Sequence, residues 1–223
     1  MALSPNDMHD SRPPARLPCC DTIVIYDLEF TSWPGFADSG WSLPGKHPEI
    51  IQIGAVMLDV ADGFGENNSF ECLVRPTVNP VLSDYIVLLT GISQEWIERD
   101  GLPFAEALDQ FKKFVEPADG MWAYGTDQKI IERNCHLTGI SYPHAFDRSV
   151  NLRPLFMEAL ETEGPLPDSG DLLTYMDLPP VGHAHDGLVD ARSLAEAIRH
   201  LVGIGRMESV RAGGHITDVL EIL

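Results

Sequence analysis

Two carboxylates two residues apart end an apolar segment near the start of the chain. They are Asp27 and Glu29 in TIVIYDLEF, and on a β-strand such a pair projects to the same face, about 6.5–7 Å apart. Two negative charges this close resist ionisation unless a cation lies between them. The spacing therefore indicates a cation site, while a frayed strand end with two solvated acids is the alternative interpretation.

Two further acids lie at the starts of predicted helices. Asp127 follows the short apolar segment MWAYG and falls in a first helical turn, where an acid also complements the helix dipole. Within GHAHDGLVDA, Asp190 falls in the first or second turn of a helix that begins just after His185. Asp190 lies beside the apolar stripe of that helix, an unfavourable position for a solvated carboxylate. His185 taken alone is typical of a structural histidine.

Strands and helices alternate along the chain in the manner of an α/β protein. Besides TIVIYDLEF, strands are predicted for EIIQIGAVMLDV and SFECLVRP, joined as a hairpin by Asp62 and Gly63, for MWAYG and for a segment near FDRSVNL. Apolar periodicity and N-caps at Ser83 and Ser93 predict the helices. They are VLSDYIVLLTGI, ISQEWIERDG, PFAEALDQFKKFVE, TDQKIIERNCHLTG, RPLFMEALE and HDGLVDARSLAEAIRHLVG. We therefore predict a mixed sheet flanked by helices.

The chain is strongly acidic, and this excludes one class of partner. Among its 223 residues are 15 Lys and Arg against 34 Asp and Glu, a formal charge of −19. Such a protein cannot coat DNA or RNA with a broad basic face, because that affinity comes from neutralising phosphates. Enzymes whose carboxylates hold divalent cations stay possible, since the cations neutralise charge locally.

The hydropathy pattern and the cysteines bear on location. No apolar run approaches the roughly 20 residues that a membrane span requires, so we expect no membrane insertion. The first residues lack the apolar region of a secretory signal. The four cysteines show no zinc-ligand spacing and do not suggest a disulfide framework. We therefore expect a cytoplasmic protein.

The distribution of prolines and of apolar periodicity predicts three regions. Residues 1–20 hold four of the 17 prolines and show no periodicity, which predicts a disordered N-terminal arm. Residues 21–205 contain all the predicted strands and helices and form one domain. Residues 206–223 are predicted to be a C-terminal tail.

The candidate residues, taken in order, resemble a known family. The motif DLE at the end of the first strand, Asp127 after WAYGT, and HDGLVD at the start of a late helix resemble the DEDDh (DnaQ-like) 3′–5′ exonucleases. EIIQIGAV, LLTGIS and PFAEAL fall in the matching intervals, so the resemblance spans Thr22 to Gly203. SDYIVLLTGIS, GISYP and HDGLVDARSLA are most similar to the branch that trims small RNAs and structured RNA 3′ ends, together with its sporulation-inhibitor-type relatives.

The resemblance implies a fold and a mechanism. The fold would be ribonuclease H-like, with a central mixed five-stranded sheet flanked by helices. Asp27, Glu29, Asp127 and Asp190 would hold two Mg²⁺ or Mn²⁺ ions, which such hard oxygen ligands prefer. His185 would act as general base, since a histidine can accept a proton near neutral pH. Nucleoside 5′-monophosphates would leave the 3′ end of a single-stranded nucleic acid, with RNA favoured over DNA.

Substrate contacts are expected beside the acids. The resemblance implies contacts from Leu28, Phe30, Thr31 and Thr90, and Trp33 is added from the long loop that follows the first strand. That loop, residues 31–48, also carries Phe36 and Trp41, and its aromatic rings either stack on terminal bases or pin the loop onto the core.

The sequence near Asp190 departs from the family pattern at two positions. A pair of basic residues lies near Asp127. Val189 stands where the small-RNA branch often has Asp, and Asp186 follows the base where a neutral or basic residue is usual. Lys129 and Arg133 lie on the helix of Asp127, where they either guide a nucleic-acid backbone or form a solvated face.

Three other functions remain open at this point. The first is a DNA-trimming exonuclease, because recognition of the 2′-hydroxyl depends on pocket shape. The second is an oligoribonuclease-like enzyme, which suits the acidic charge, although YDLEFTSWPG differs from the DLEMTGL of that subgroup. The third, from another class, is a catalytically silent interaction module for nucleic acid or protein. Such modules usually lose a site residue, and all five are present here.

Overall fold

A five-stranded mixed sheet lies at the centre of the computed structural model, which describes residues 13–209. In the order β4-β3-β2-β5-β6, the pairs β4–β3 and β3–β2 are antiparallel, and β2–β5 and β5–β6 are parallel. The predicted mixed five-stranded sheet is therefore confirmed. The strands are β1 (Ala15–Leu17), β2 (Thr22–Phe30), β3 (Ile50–Asp59), β4 (Gly65–Leu73), β5 (Gly120–Ala123), β6 (Ser149–Asn151) and β7 (Met207–Ser209).

Helices cover both faces of this sheet. The predicted N-caps are confirmed, because Ser83 accepts a hydrogen bond from the backbone N–H of Ile86 and Ser93 accepts one from that of Trp96. Nothing among the helices of residues 13–209 has the length and apolar character needed to cross a membrane. The helices are α1 (Asp84–Thr90), α2 (Gln94–Asp100), α3 (Phe104–Val115), α4 (Asp127–Thr138), α5 (Arg153–Ala159), α6 (Leu172–Tyr175) and α7 (Gly187–Gly203).

Alternate residues of β2 face opposite layers of helices. Ile23 and Ile25 are fully buried in the core cluster that includes α7, whereas Val24 belongs to the cluster that includes α3. Because side chains alternate along a strand, Asp27 and Glu29 continue the row of Ile23 and Ile25. The two acids therefore lie on the α7 side of the sheet, at the end of its central strand.

The second strand of the predicted hairpin begins earlier than expected. The prediction started it at Ser69, but β4 begins at Gly65 and pairs antiparallel with β3. The reason is that β4 is an edge strand whose first residues, among them Glu66 and Asn68, are polar and mostly exposed. Edge strands often carry polar side chains, so hydropathy gives no signal there.

The predicted disordered arm and C-terminal tail are wrong for the residues nearest the domain. Strands β1 and β7 pair in parallel, with Ala15 opposite Met207, and Ala15, Leu17 and Met207 are buried in the core. Three-residue strands are too short to show periodicity, and the prolines on both sides of β1 are typical of irregular structure, so the sequence did not indicate this strand. The rest of both predictions, residues 1–12 and 210–223, lies outside the described residues.

The first turn of α7 rests directly on the backbone of the sheet. A Cβ atom on Gly54 of β3 would lie 2.0 Å from the backbone nitrogen of Leu188 and 2.1 Å from the carbonyl carbon of Gly187. The N–H of Gly187 donates to Oε1 of the buried Gln52 at 2.9 Å. Two glycines thus allow a close approach, and it positions the start of α7 beside Asp27, which pairs with Gly54.

We expect Gly54→Ala to destabilise the protein by about 1–3 kcal/mol, because the added methyl group would overlap backbone atoms of α7 that cannot move without repacking the helix. Urea unfolding measures the change. The matched control is Gly203→Ala at the other end of α7, where an added Cβ has no neighbour within 4 Å. That variant should be unchanged or more stable by up to about 1 kcal/mol. Equal stability of Gly54→Ala and wild type would contradict the close packing.

Candidate active site

One cleft of about 460 Å³ opens at the end of β2 and at the starts of α4 and α7. It brings together side chains from distant parts of the sequence, because central β2 ends there and α4 directly follows β5, its parallel neighbour. All five residues predicted to be catalytic line it. They are Asp27, Glu29, Asp127, His185 and Asp190.

Short distances connect the acidic side chains. One potential ligand atom from each of Glu29, His185 and Asp190 lies within 4.8 Å of the other two. The hydroxyl of Ser169 donates to Oδ1 of Asp27 at 2.9 Å and to Oδ2 of Asp190 at 3.3 Å. Ser169 therefore links two carboxylates that would otherwise only repel each other.

Burial raises the pKa of every carboxyl group in this cluster, and repulsion from nearby acids adds to the shift for all but Asp127. Burial, followed by the charges of neighbouring acids, raises the pKa of Asp27 and of Glu29 well above their usual values. Burial raises the pKa of Asp190 to about 7, although hydrogen bonds from Ser169 and from the backbone of His185 oppose the shift. Burial likewise raises the pKa of Asp127 to about 6. The cluster therefore disfavours four negative charges unless cations compensate them.

The cluster fits divalent metal ions. Oδ1 of Asp190 is buried and has no hydrogen-bond partner, which is an unfavourable state for a carboxylate oxygen. Metal coordination would satisfy this atom. The acids of the cleft offer carboxylate oxygens, and such hard oxygen donors suit Mg²⁺ or Mn²⁺. Glu29 and Asp190 belong to the group whose ligand atoms lie within 4.8 Å of one another, and Asp27 and Asp127 are the further acids of the resemblance that line the same cleft. These four would hold such ions.

The segment before α7 has an unusual backbone. Asp186 is the N-cap of α7, and its carboxylate accepts from the N–H groups of Leu188 at 3.0 Å and Val189 at 3.2 Å. An N-cap is worth about 1 kcal/mol, so this departure from the family pattern has a structural role. His185, which precedes the cap, has a φ of 63°. Such left-handed residues are uncommon outside glycine and cluster at functional sites.

Only some of the predicted substrate contacts lie at the cleft. Leu28 and Phe30 line the cleft, whereas Thr31 and Thr90 do not. Both threonines are buried and their hydroxyls are used within the fold. Thr31 donates to the carbonyl of His47, and Thr90 donates to that of Ile86 one turn earlier in α1. These two hydroxyls stabilise local structure and do not reach the cleft.

Trp41, rather than the predicted Trp33, contributes from the long loop to the wall of the cleft. Trp33 lies under the ammonium group of Lys46, which is 4.3 Å from the ring centroid, and contacts Phe36 edge-to-face. A loop has no regular period, so the sequence did not reveal which aromatic ring points inward. Arg133, one of the two basic residues considered for guiding a backbone, donates to the carbonyl of Trp41 at 2.9 Å.

Ser169 and Arg153 are among the residues of the cleft that the sequence did not predict. Arg153 lies over the ring of Tyr124 at 4.5 Å and donates to the carbonyls of Leu166 and Pro167. It thereby holds the segment that leads to Ser169. The segment around Ser169 carries no motif that would point to the cleft, and its proximity to Asp27 depends on the tertiary fold.

Residues 24–198 match the family described as RNase_T, Exonuclease. The chain is 29% identical over 205 residues to the 3′-5′ exonuclease crn-4 of Caenorhabditis elegans, covering 85% of this chain and 66% of the relative. It is 27% identical over 193 residues to the 3′-5′ exoribonuclease 1 of Homo sapiens, covering 81% and 52%. The chain thus spans between half and two thirds of the length of these relatives.

A solved structure shares the fold. It is the nuclease domain of 3′hExo, a DEDDh family member bound to rAMP, with a TM-score of 0.69 and 23% identity over 85% of this chain and 96% of that one. The predicted ribonuclease H-like α/β fold is therefore confirmed.

We expect Asp190→Asn to stabilise the protein without metal and to destabilise it, relative to wild type, when metal is added. Without metal the folded pKa of Asp190, about 7, exceeds the unfolded value of about 4. The stability that protonated Asp190 contributes is complete below about pH 4 and is lost as the pH rises through about 7. In EDTA at neutral pH the variant should therefore be more stable than wild type by about 1–3 kcal/mol. This difference should vanish toward about pH 4.

Excess Mn²⁺ should make wild type the more stable of the two proteins, because ligand binding stabilises the folded state and the variant lacks one ligand. Urea unfolding across this pH range, with EDTA or with Mn²⁺, tests both effects. Asp38→Asn, which removes an exposed acid of the loop, is the control and should parallel wild type throughout. If the free energy of unfolding depends on pH and Mn²⁺ in the same way for Asp190→Asn and wild type, repulsion at Asp190 does not limit stability.

Proposed function

Since the chain belongs to the RNase_T exonuclease family, we propose that it is a 3′–5′ exonuclease that trims single-stranded nucleic acid, with RNA preferred over DNA. One observation carries the proposal. Four carboxylates and a histidine, from β2, α4 and the start of α7, line a single cleft. The raised pKa values of the four carboxyl groups support their assignment to an active site, because carboxyl groups with perturbed pKa values cluster at functional sites.

The side chains suggest a division of labour in the hydrolysis. Two divalent cations held by the acids would activate the attacking water and stabilise the charge on the leaving oxygen. His185 lies beside Glu29 and Asp190, where its imidazole can accept the proton that the water loses. Attack on phosphorus breaks the bond to the 3′ oxygen of the penultimate nucleotide. The products are a nucleoside 5′-monophosphate and a strand with a new 3′ hydroxyl.

Similarity supports RNA over DNA. The human relative is named an exoribonuclease, and the solved structure of similar fold contains an adenosine ribonucleotide. The motifs SDYIVLLTGIS, GISYP and HDGLVDARSLA add the likeness to the branch that trims RNA 3′ ends. A catalytically silent module is less consistent with the site, because burying several carboxylates together without a ligand would only destabilise the fold.

The decisive experiment uses RNA and DNA of one sequence, single-stranded, labelled at the 5′ end, with free 3′ hydroxyls. We expect both to shorten stepwise from the 3′ end with Mg²⁺ or Mn²⁺, RNA faster than DNA, and neither to change in EDTA. Asp190→Asn should lose nearly all activity, because a metal ligand is removed. Faster cleavage of DNA would reverse the preference, and no shortening of either strand would reject the proposed activity.

We also expect His185→Gln to lower turnover by about 10²–10⁴-fold, the range for loss of a general base. Mn²⁺ binding, measured by calorimetry, should persist in this variant because the four carboxylates are intact. The matched control is His183→Gln, an exposed neighbour that does not line the cleft and should behave as wild type. Full activity of His185→Gln would remove this histidine from the mechanism.

A further inference from the structure

Trp41 has a strained backbone at the wall of the cleft. Its φ is 59°, in the left-handed region where a bulky residue is an outlier. Such a conformation costs on the order of 1–3 kcal/mol and persists only where the surroundings hold it. Among aromatic residues of the loop 31–48, Trp41 is the one that lines the cleft. Backbone strain and position together indicate a function for its side chain.

Several contacts hold Trp41 in place. Its N–H donates to the carbonyl of Phe36 at 2.9 Å, and its own carbonyl accepts from Arg133 at 2.9 Å. Its ring meets Phe36 and Phe30 edge-to-face, with centroids 5.5 and 5.1 Å apart. Phe36 is fully buried, whereas Trp41 is partly exposed. Phe36 therefore anchors the loop, and the indole of Trp41 remains available to a ligand in the cleft.

The charges of the cleft explain why a stacking surface matters. Five acids line it, and Arg153 is the single Lys or Arg among its lining residues within the described part of the chain. The guanidinium of Arg153 is already used by two carbonyls, by the ring of Tyr124 and by Asp168 at 3.7 Å. Side-chain cations thus contribute little to phosphate binding here. Stacking on aromatic rings is the other main source of affinity for single strands.

We infer that the indole of Trp41 stacks on a base within the last two nucleotides of the substrate; the inference rests on the proposed exonuclease function. Phe30, the residue after Glu29, contacts Trp41, so the indole lies close to the acids that would hold the cations at the scissile phosphate. Only an unpaired base presents its face to a side chain. The loop 31–48 thereby makes an unpaired 3′ end part of what the cleft recognises.

The test is a cycle of two proteins and two substrates. The first RNA is single-stranded and complete, and the second lacks the bases of its last two nucleotides. For wild type, loss of the bases should lower kcat/KM by about 10- to 100-fold, the effect of losing base stacking. Trp41→Ala should lower kcat/KM on the complete RNA by a similar factor, but on the abasic RNA by less than about threefold, because that interaction is already absent.

Two further variants separate stacking from loop packing. Trp41→Phe keeps an aromatic ring and should retain most of the preference for the complete RNA. Trp33→Ala removes an aromatic residue of the same loop that does not line the cleft, so it should change both substrates by one common factor.

Equal losses on both RNAs in Trp41→Ala, or no effect of the missing bases on wild type, would overturn the stacking role and leave the exonuclease function standing. No turnover by wild type on any strand would overturn the proposed function and the stacking role together.

Discussion

Electrostatic repulsion among four carboxylates that are buried or partly buried in one cleft is the constraint on which the rest of this structure depends. Charges of one sign a few ångströms apart in a partly buried site repel by several kcal/mol at the effective dielectric constant of proteins. Here burial raises the pKa of all four carboxyl groups, and neighbouring acids add to the shift for Asp27, Glu29 and Asp190. The fold must therefore hold side chains together that would otherwise separate. That is why the acids lie on the central strand and on helices whose first turns abut the sheet.

The scaffold meets this constraint mainly with close packing and a neutral hydrogen-bond donor, while the single Lys or Arg of the cleft lining within residues 13–209, Arg153, partly offsets the rise in the pKa of Asp127 that burial causes. Gly54 and Gly187 let α7 approach the sheet to backbone contact, which leaves Asp190 little freedom to move away from Asp27. Ser169 lies between these two carboxylates, and a neutral donor reduces repulsion without occupying the site as a lysine would. Enzymes commonly lose some folding stability at an active site of this kind. Divalent cations would recover part of it, since binding to the folded state stabilises it.

Local rules were sufficient for most of the strands and helices, and the family resemblance pointed to five residues that line one cleft, but neither predicted contacts between loops. Alternation along β2 and the caps at Ser83 and Ser93 are properties of neighbouring residues, so the sequence predicted them correctly. Ser169 could not be found in this way, because its distance from Asp27 depends on how the chain between them folds. The same holds for the choice between Trp33 and Trp41, which lie on a loop without regular period.

The acidic cleft also couples the binding of cation and substrate. Without cations, its five acids repel the phosphates of an incoming strand. Divalent cations held by these acids would reverse the sign of this interaction. Linkage makes this effect reciprocal: if a bound strand raises the affinity for cations, the bound cations raise the affinity for the strand by the same factor. The chain, with a formal charge of −19, then needs no basic surface for the reacting end of a strand. In the proposed exonuclease, the cations would therefore supply phosphate recognition, while aromatic side chains such as Trp41 would supply recognition of the bases.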